Sequence, residues 1–118
     1  MEKAGARLSE GRVSLPDLDY YNLMAVAERL VDEYGDPQRA KSVFGHAVRL
    51  RPDFFRATYG LSATIQLLGD PAGAASLLEE YAARFGSSTQ LDRALQMLRK
   101  DIQSRTEDPA GALLNKQP

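Results

Sequence analysis

Two pairs of adjacent carboxylates, Asp32-Glu33 and Glu79-Glu80, are the first places in this sequence where chemistry could occur. Neighbouring carboxyl groups can divide acid and base work when their surroundings push their pKa values apart. There is one histidine, His46, and no Ser or Cys nucleophile stands at a suggestive spacing from it. The chain has no cysteine, which removes disulfides, thiolate nucleophiles, iron–sulfur clusters and Cys-ligated zinc. A lone histidine removes a paired-histidine metal site within one chain. Arg99, Lys100 and Arg105 form a small basic cluster that could meet a phosphate backbone. No phosphate-cradling glycine loop, dinucleotide fingerprint or metalloprotease helix is present. Each candidate also has a plain reading. His46 stands two residues from Phe44 and reads as a solvated side chain. Both carboxylate pairs read as polar helix faces near helix ends. The basic cluster reads as a complement to the dipole of the last helix. Neither an enzyme nor a cofactor is expected. Basic-cluster RNA binding and carboxylate-dependent catalysis are kept as the alternatives.

Composition narrows the class further. A length of 118 residues holds one domain at most. A hydrophobic share of 43% is too high for a fully disordered chain. Fifteen Lys and Arg against sixteen Asp and Glu give a net charge of −1. That balance disfavours a dedicated binder of nucleic acid or of an anionic membrane. The apolar runs are too short for a membrane span or a signal-peptide core. The expectation is a cytoplasmic domain, with a peripheral position on a membrane complex as its variant.

Candidate chemistry must be positioned by helices. Residues 1–17 lack a repeating apolar spacing and read as a flexible leader, with Ser14 or Asp17 able to cap and Pro16 fitting a first turn. Five stripes at helical spacing follow. Tyr20, Leu23, Ala27, Leu30, Val31 and Tyr34 make the first. Ala40, Val43, Phe44, Ala47 and Leu50 make the second, and Phe54, Ala57, Leu61, Ile65 and Leu68 the third. Ala74, Leu77, Leu78, Tyr81 and Phe85 make the fourth. Leu91, Ala94, Leu95, Leu98 and Ile102 make the fifth. Gly35-Asp36-Pro37, Pro52-Asp53, Gly69-Asp70-Pro71 and Gly86-Ser87-Ser88 separate them. No segment alternates as a half-buried strand does. Residues 18–103 read as the domain and 104–118 as a flexible tail.

The turn Gly35-Asp36-Pro37 returns as Gly69-Asp70-Pro71, shifted by 34 residues. The same shift carries Ala40 onto Ala74, Phe44 onto Leu78 and Val31 onto Ile65. Turn chemistry and apolar pattern therefore repeat together. This pattern resembles the tetratricopeptide repeat, on Gly35-Asp36, Ala40, Phe44, Ala47 and Pro52 in one unit and Leu61, Gly69-Asp70, Ala74 and Leu78 in the next. The resemblance covers about Tyr20 to Phe85. It implies an all-α fold: a short helical solenoid of two helix-turn-helix repeats with a C-terminal capping helix from Thr89. Some positions depart from the family. Glu28 stands where a small residue is usual, Met24 and Thr58 where an aromatic is usual, and bulky Tyr81 at the counterpart of Ala47. Tyr21-Asn22-Leu23 comes one turn early, as an extended first helix would make it. A narrower likeness joins Phe44–Leu50 and Arg56-Ala57-Thr58-Tyr59-Gly60-Leu61 to the late repeats of subunit 2 of the endoplasmic-reticulum membrane protein complex, a cytosolic scaffold.

In such repeats the first helix of each unit lines a concave groove that holds a partner polypeptide. Carried over by the 34-residue shift, that groove takes Asn22, Ala25, Arg29 and Asp32, then Arg56, Tyr59, Ala63 and Gln66, then Gln90, Arg93 and Met97. The partner-binding expectation rests on Arg29, Arg56, Tyr59, Ala63, Gln66, Gln90, Arg93 and Met97. Arg29, Arg56 and Arg93 would form a cationic ladder suited to an acidic peptide segment; local pairing of those arginines with neighbouring acids is the competing reading. The carboxylate clamp of chaperone-tail adaptors is absent, because its places hold Ala25, Arg29, Gly60, Gln90 and Ala94. Gly45 and Gly60 inside helices point to close helix approach. Two units and a cap are fewer than the three repeats usually needed for stability, so a partner or a second copy is expected to help. The functional expectation is a non-enzymatic scaffold or adaptor, with a place as a subunit of a larger complex.

Overall fold

A computed structural model describes residues 15–107, with side chains from 17 to 106. Most of the expected leader and tail lies outside the described residues, as does Ser14. The fold is all-α: α1 is Leu15–Asp32, α2 Pro37–Leu50, α3 Phe55–Leu67, α4 Pro71–Phe85 and α5 Thr89–Glu107. Among the described residues there is no strand. Each helix packs on the next in chain order, and α1 also touches α3.

The repeated turn works as its chemistry dictates. Gly35 and Gly69 take φ values of 58° and 95°, which end α1 and α3 at no side-chain cost. Asp36 then accepts from the Arg39 amide at 3.1 Å, and Asp70 from the Gly73 amide at 2.9 Å. A proline opens each following helix, where its missing N–H costs nothing. Ser88 caps α5 by accepting from the Leu91 amide at 3.1 Å.

The stripes fold into two apolar clusters. Tyr20, Met24 and Ala27 of α1 meet Ala40, Phe44 and Ala47 of α2, with Ala57 of α3. Ala74, Ala75 and Leu78 of α4 meet Leu91, Leu95 and Leu98 of α5. Alanines on α2 and α4 let the helices close, and Phe44 and Leu78 fill the space between them. Between the clusters α3 buries Thr58, Ser62 and Thr64. Their hydroxyls need partners away from water. Ser62 donates to the Ala74 carbonyl at 3.1 Å, tying α3 to α4, and Thr64 to the Gly60 carbonyl at 2.8 Å. Tyr20 is 1% exposed, and among the described residues its hydroxyl has no hydrogen-bond partner; burial raises its pKa.

Several expectations need correction. Helix α1 begins at Leu15, inside the expected leader, and α5 runs on to Glu107, past Gln103. Asp17 is therefore no cap; it lies in the first turn of α1 and pairs with Arg51 after α2. Tyr34 is 65% exposed because α1 has ended before it. Leu50, Leu68 and Phe85 are also exposed, each at or just past a helix end. The early Tyr21-Asn22-Leu23 is accounted for. By the 34-residue shift Phe55 answers to Tyr21, and α1 starts more than a turn before it.

The departures from the repeat pattern have local reasons. Tyr81, at the counterpart of Ala47, donates its hydroxyl to the Asp53 carbonyl at 2.6 Å, binding α4 to the α2–α3 turn. Arg51 sits in the same turn, with its guanidinium 4.0 Å over the Phe54 ring and its other contacts on Asp53 and Asp17. Gly60 answers to Phe44: a Cβ there would stand 2.5 Å from the ring. Gly45 has no such neighbour, since only the Arg49 side chain approaches it, at 3.7 Å. Close approach thus explains one glycine and not the other. The two ends of the row also differ. Where α3 buries Thr58 and Ser62, α5 carries Asp92 and Gln96 at the shifted positions, both exposed.

Candidate functional site

Helices α1 and α3 lie beside each other and leave a furrow of about 620 Å³ between them. One wall is Glu28, Val31 and Asp32 of α1. The other is Arg56, Tyr59, Gly60, Ala63, Thr64 and Leu67 of α3, and Gln90 and Phe55 close one end. Phe44 forms the floor, and Gly60 is what lets its ring rise there. A smaller furrow of about 110 Å³ runs between α3 and α5, lined by Tyr59, Ser62, Ala63 and Gln66 against Ala94, Met97 and Leu98. Tyr59 and Ala63 belong to both, because they crown the ridge of α3.

The structure thus gathers Arg56, Tyr59, Ala63 and Gln90 in one furrow, and Tyr59, Ala63, Gln66 and Met97 in the other. Arg29 and Arg93 line neither. The shift that placed Asn22, Ala25 and Arg29 in the groove matched α1 to the α3 face that looks back at α1. The face α1 turns toward α3 keeps Asp32 of the expected set and adds Glu28 and Val31 in place of the rest. Their counterparts are Ser62, Ile65 and Gln66, and Ser62 and Gln66 indeed face α5. Sequence reasoning also missed Phe44 and Leu67. Phe44 was assigned to the core alone, and Leu67 fell outside the third stripe.

Charge in the furrow is largely balanced. Arg56 donates to the Glu28 carboxylate at 2.8 and 3.2 Å, a clasp across the mouth between α1 and α3. Arg29 pairs with Glu33 at 3.0 Å on the outside of α1, which raises its pKa further. Of the expected ladder only Arg93 has no carboxylate within pairing distance among the described residues. The furrow surface is mainly apolar, with Leu67 64% and Met97 69% exposed on it. Large exposed apolar side chains around a concavity mark a contact surface.

The remaining candidates sit on solvated faces. His46, Asp32, Glu33, Glu79 and Glu80 are all exposed. Arg99 pairs with Glu79 at 3.2 Å and Arg105 with Asp101 at 2.8 Å, so two members of the basic cluster are neutralised. Because α5 continues to Glu107, Arg99 and Lys100 lie short of its last turn, and the dipole argument holds for Arg105 alone. Asp101 also accepts from Gln66 at 3.2 Å; its carboxyl is held below the ordinary value first by Arg105 and then by Gln66. Among the described residues no helix is long and apolar enough to cross a membrane. No family model matches this chain, and no curated protein and no solved structure matches it either.

Proposed function

We propose that this protein is a non-enzymatic docking module of the tetratricopeptide kind, which holds a segment of a partner polypeptide in the concave face made by α1, α3 and α5. The observation that carries this reading is the larger furrow: about 620 Å³, floored by Phe44 and walled by Val31, Tyr59 and Leu67. Tyr and Leu in such a place offer rigid contact area at low entropic cost. The local pairing of Arg29 and Arg56 favours an apolar segment over an acidic one, since an incoming carboxylate would have to displace Glu33 or Glu28. Work as an adaptor within a larger cytoplasmic assembly is part of the same proposal.

The test is co-purification from native lysate with wild type and with Ala63→Arg. Ala63 is exposed on the ridge of α3, so the long side chain obstructs both furrows without disturbing the core. Partner recovery should fall at least tenfold. Equal recovery by both proteins removes the furrows as the docking site.

A further inference from the structure

The face of α2 turned away from the apolar clusters carries Gln38, Lys41, Ser42, Gly45, His46 and Arg49, spaced as one continuous helical stripe. These residues border a shallow trough of about 560 Å³ whose floor is Leu61 and Ile65 of α3. The whole of α2, Pro37–Leu50, contains no Asp or Glu. Elsewhere most arginines of the described residues are paired with acids: Arg29, Arg51, Arg56, Arg99 and Arg105 each hold a carboxylate, while Arg84 and Arg93 do not. On this stripe neither Lys41, His46 nor Arg49 has a carboxylate within pairing distance among the described residues. The chain as a whole carries a net charge of −1, so this is a local positive surface on a balanced protein.

Gly45 supplies an independent reason to look here. A glycine in a helix interior destabilises the helix relative to alanine. Gly60 compensates by admitting the Phe44 ring, whereas among the described residues nothing requires Gly45. It lies half-buried at the middle of the positive stripe, with Arg49 folded back beside it. A missing side chain at that point lets another backbone come close to α2.

We infer that this trough is a second docking surface, which takes an acidic polypeptide segment laid along α2 over Gly45. Its carboxylates meet Lys41 and Arg49, and an apolar side chain seats on Leu61 and Ile65. Charge complementarity steers the encounter, and the apolar floor and the glycine fix where the segment rests. The acidic partner expected for the concave ladder thus belongs on the opposite side of α3. Nucleic acid is disfavoured, because the stripe offers only two permanent cations beside His46 and an apolar floor, with no Phe, Tyr or Trp to stack a base.

The test is selection of random 12-residue phage-displayed peptides on the full chain, with four variants in parallel. Wild type should enrich peptides rich in Asp and Glu with at least one large apolar residue. Enrichment should drop tenfold or more on Lys41→Glu/Arg49→Glu and on the neutral Lys41→Ala/Arg49→Ala. It should also drop on Gly45→Ala, with helical circular dichroism retained. Ala63→Arg should keep it, which separates this surface from the concave one. Absence of acidic enrichment, or equal enrichment on the Lys41/Arg49 variants, overturns the inference. So does tighter capture of a 12-nucleotide single-stranded RNA than of the best selected peptide.

Discussion

Replacing each of two helix-interior glycines by alanine should move stability in opposite directions. At Gly45 the added methyl meets only Arg49, at 3.7 Å, and the long side chain can move aside. The helix gains about 0.5–1 kcal/mol from reduced backbone freedom in the unfolded chain. At Gly60 the same gain applies, but the methyl would stand 2.5, 2.9 and 3.0 Å from three atoms of the Phe44 ring. That ring is 4% exposed and enclosed by the cluster containing Tyr20, Met24 and Ala27, so it cannot swing away freely. Overpacking of this kind costs about 1–3 kcal/mol. The net at Gly60 runs from near zero to a loss of roughly 2 kcal/mol, and because the helix gain is common to both sites the two variants should differ by the overpacking cost itself, about 1–3 kcal/mol. For a chain of this size that is a separation in Tm on the order of 10 °C. Urea titration followed at 222 nm measures it. A double-mutant cycle with Phe44→Leu assigns the cause, because the penalty at Gly60 should shrink when the ring is gone. If Gly60→Ala stabilises the protein as much as Gly45→Ala does, the close approach of α3 to Phe44 is wrong, and with it the shape of the furrow floor.

Three further outcomes follow from the same contacts. Tyr20→Phe removes a buried hydroxyl that has no partner among the described residues, and should leave stability unchanged or raise it by up to about 1 kcal/mol, read from the urea midpoint. Tyr81→Phe breaks the bond to the Asp53 carbonyl and should cost about 0.5–1.5 kcal/mol, with faster amide exchange in the α2–α3 turn. Asp53 and Asp101 are held below their ordinary pKa of 3.8, the first chiefly by Arg51 and the second chiefly by Arg105. A depressed carboxyl contributes stability above its unfolded pKa and loses it as pH falls through the lower folded value. Stability should therefore be flat above about pH 5 and decline below about 4, and Arg51→Ala with Arg105→Ala should flatten the decline.

Most of the architecture could be read from the residues. Gly35-Asp36-Pro37 and Gly69-Asp70-Pro71 mark two helix boundaries because each residue has one conformational task. The apolar stripes name most of the buried hydrophobic side chains, missing Met24 and Ala75, since helical periodicity and burial share one cause. What failed was whatever depended on a neighbour. Tyr34 and Phe85 fit their stripes by spacing, but exposure depends on how far the adjacent helix extends. Thr58, Ser62 and Thr64 are polar by type and buried by position, and their spacing alone carries no sign of the Ala74 and Gly60 carbonyls that receive two of them. The furrow was half legible. Tyr59, Ala63 and Gln66 follow from the repeat, while the α1 wall, Asp32 apart, is misassigned by a fraction of a turn. The arginine ladder dissolved for the same reason, because Glu28 reaches Arg56 across two helices.

Asp92 and Gln96 have a consequence for anyone wishing to lengthen this array. A following hairpin would press small or apolar surface onto the places where these side chains stand, and would strand a carboxylate and an amide away from water. Tyr21 and Val26 of α1, half-exposed at the other extremity, impose no comparable toll. The stack is therefore directional, and designed extension should begin ahead of α1 unless both polar positions are rewritten first.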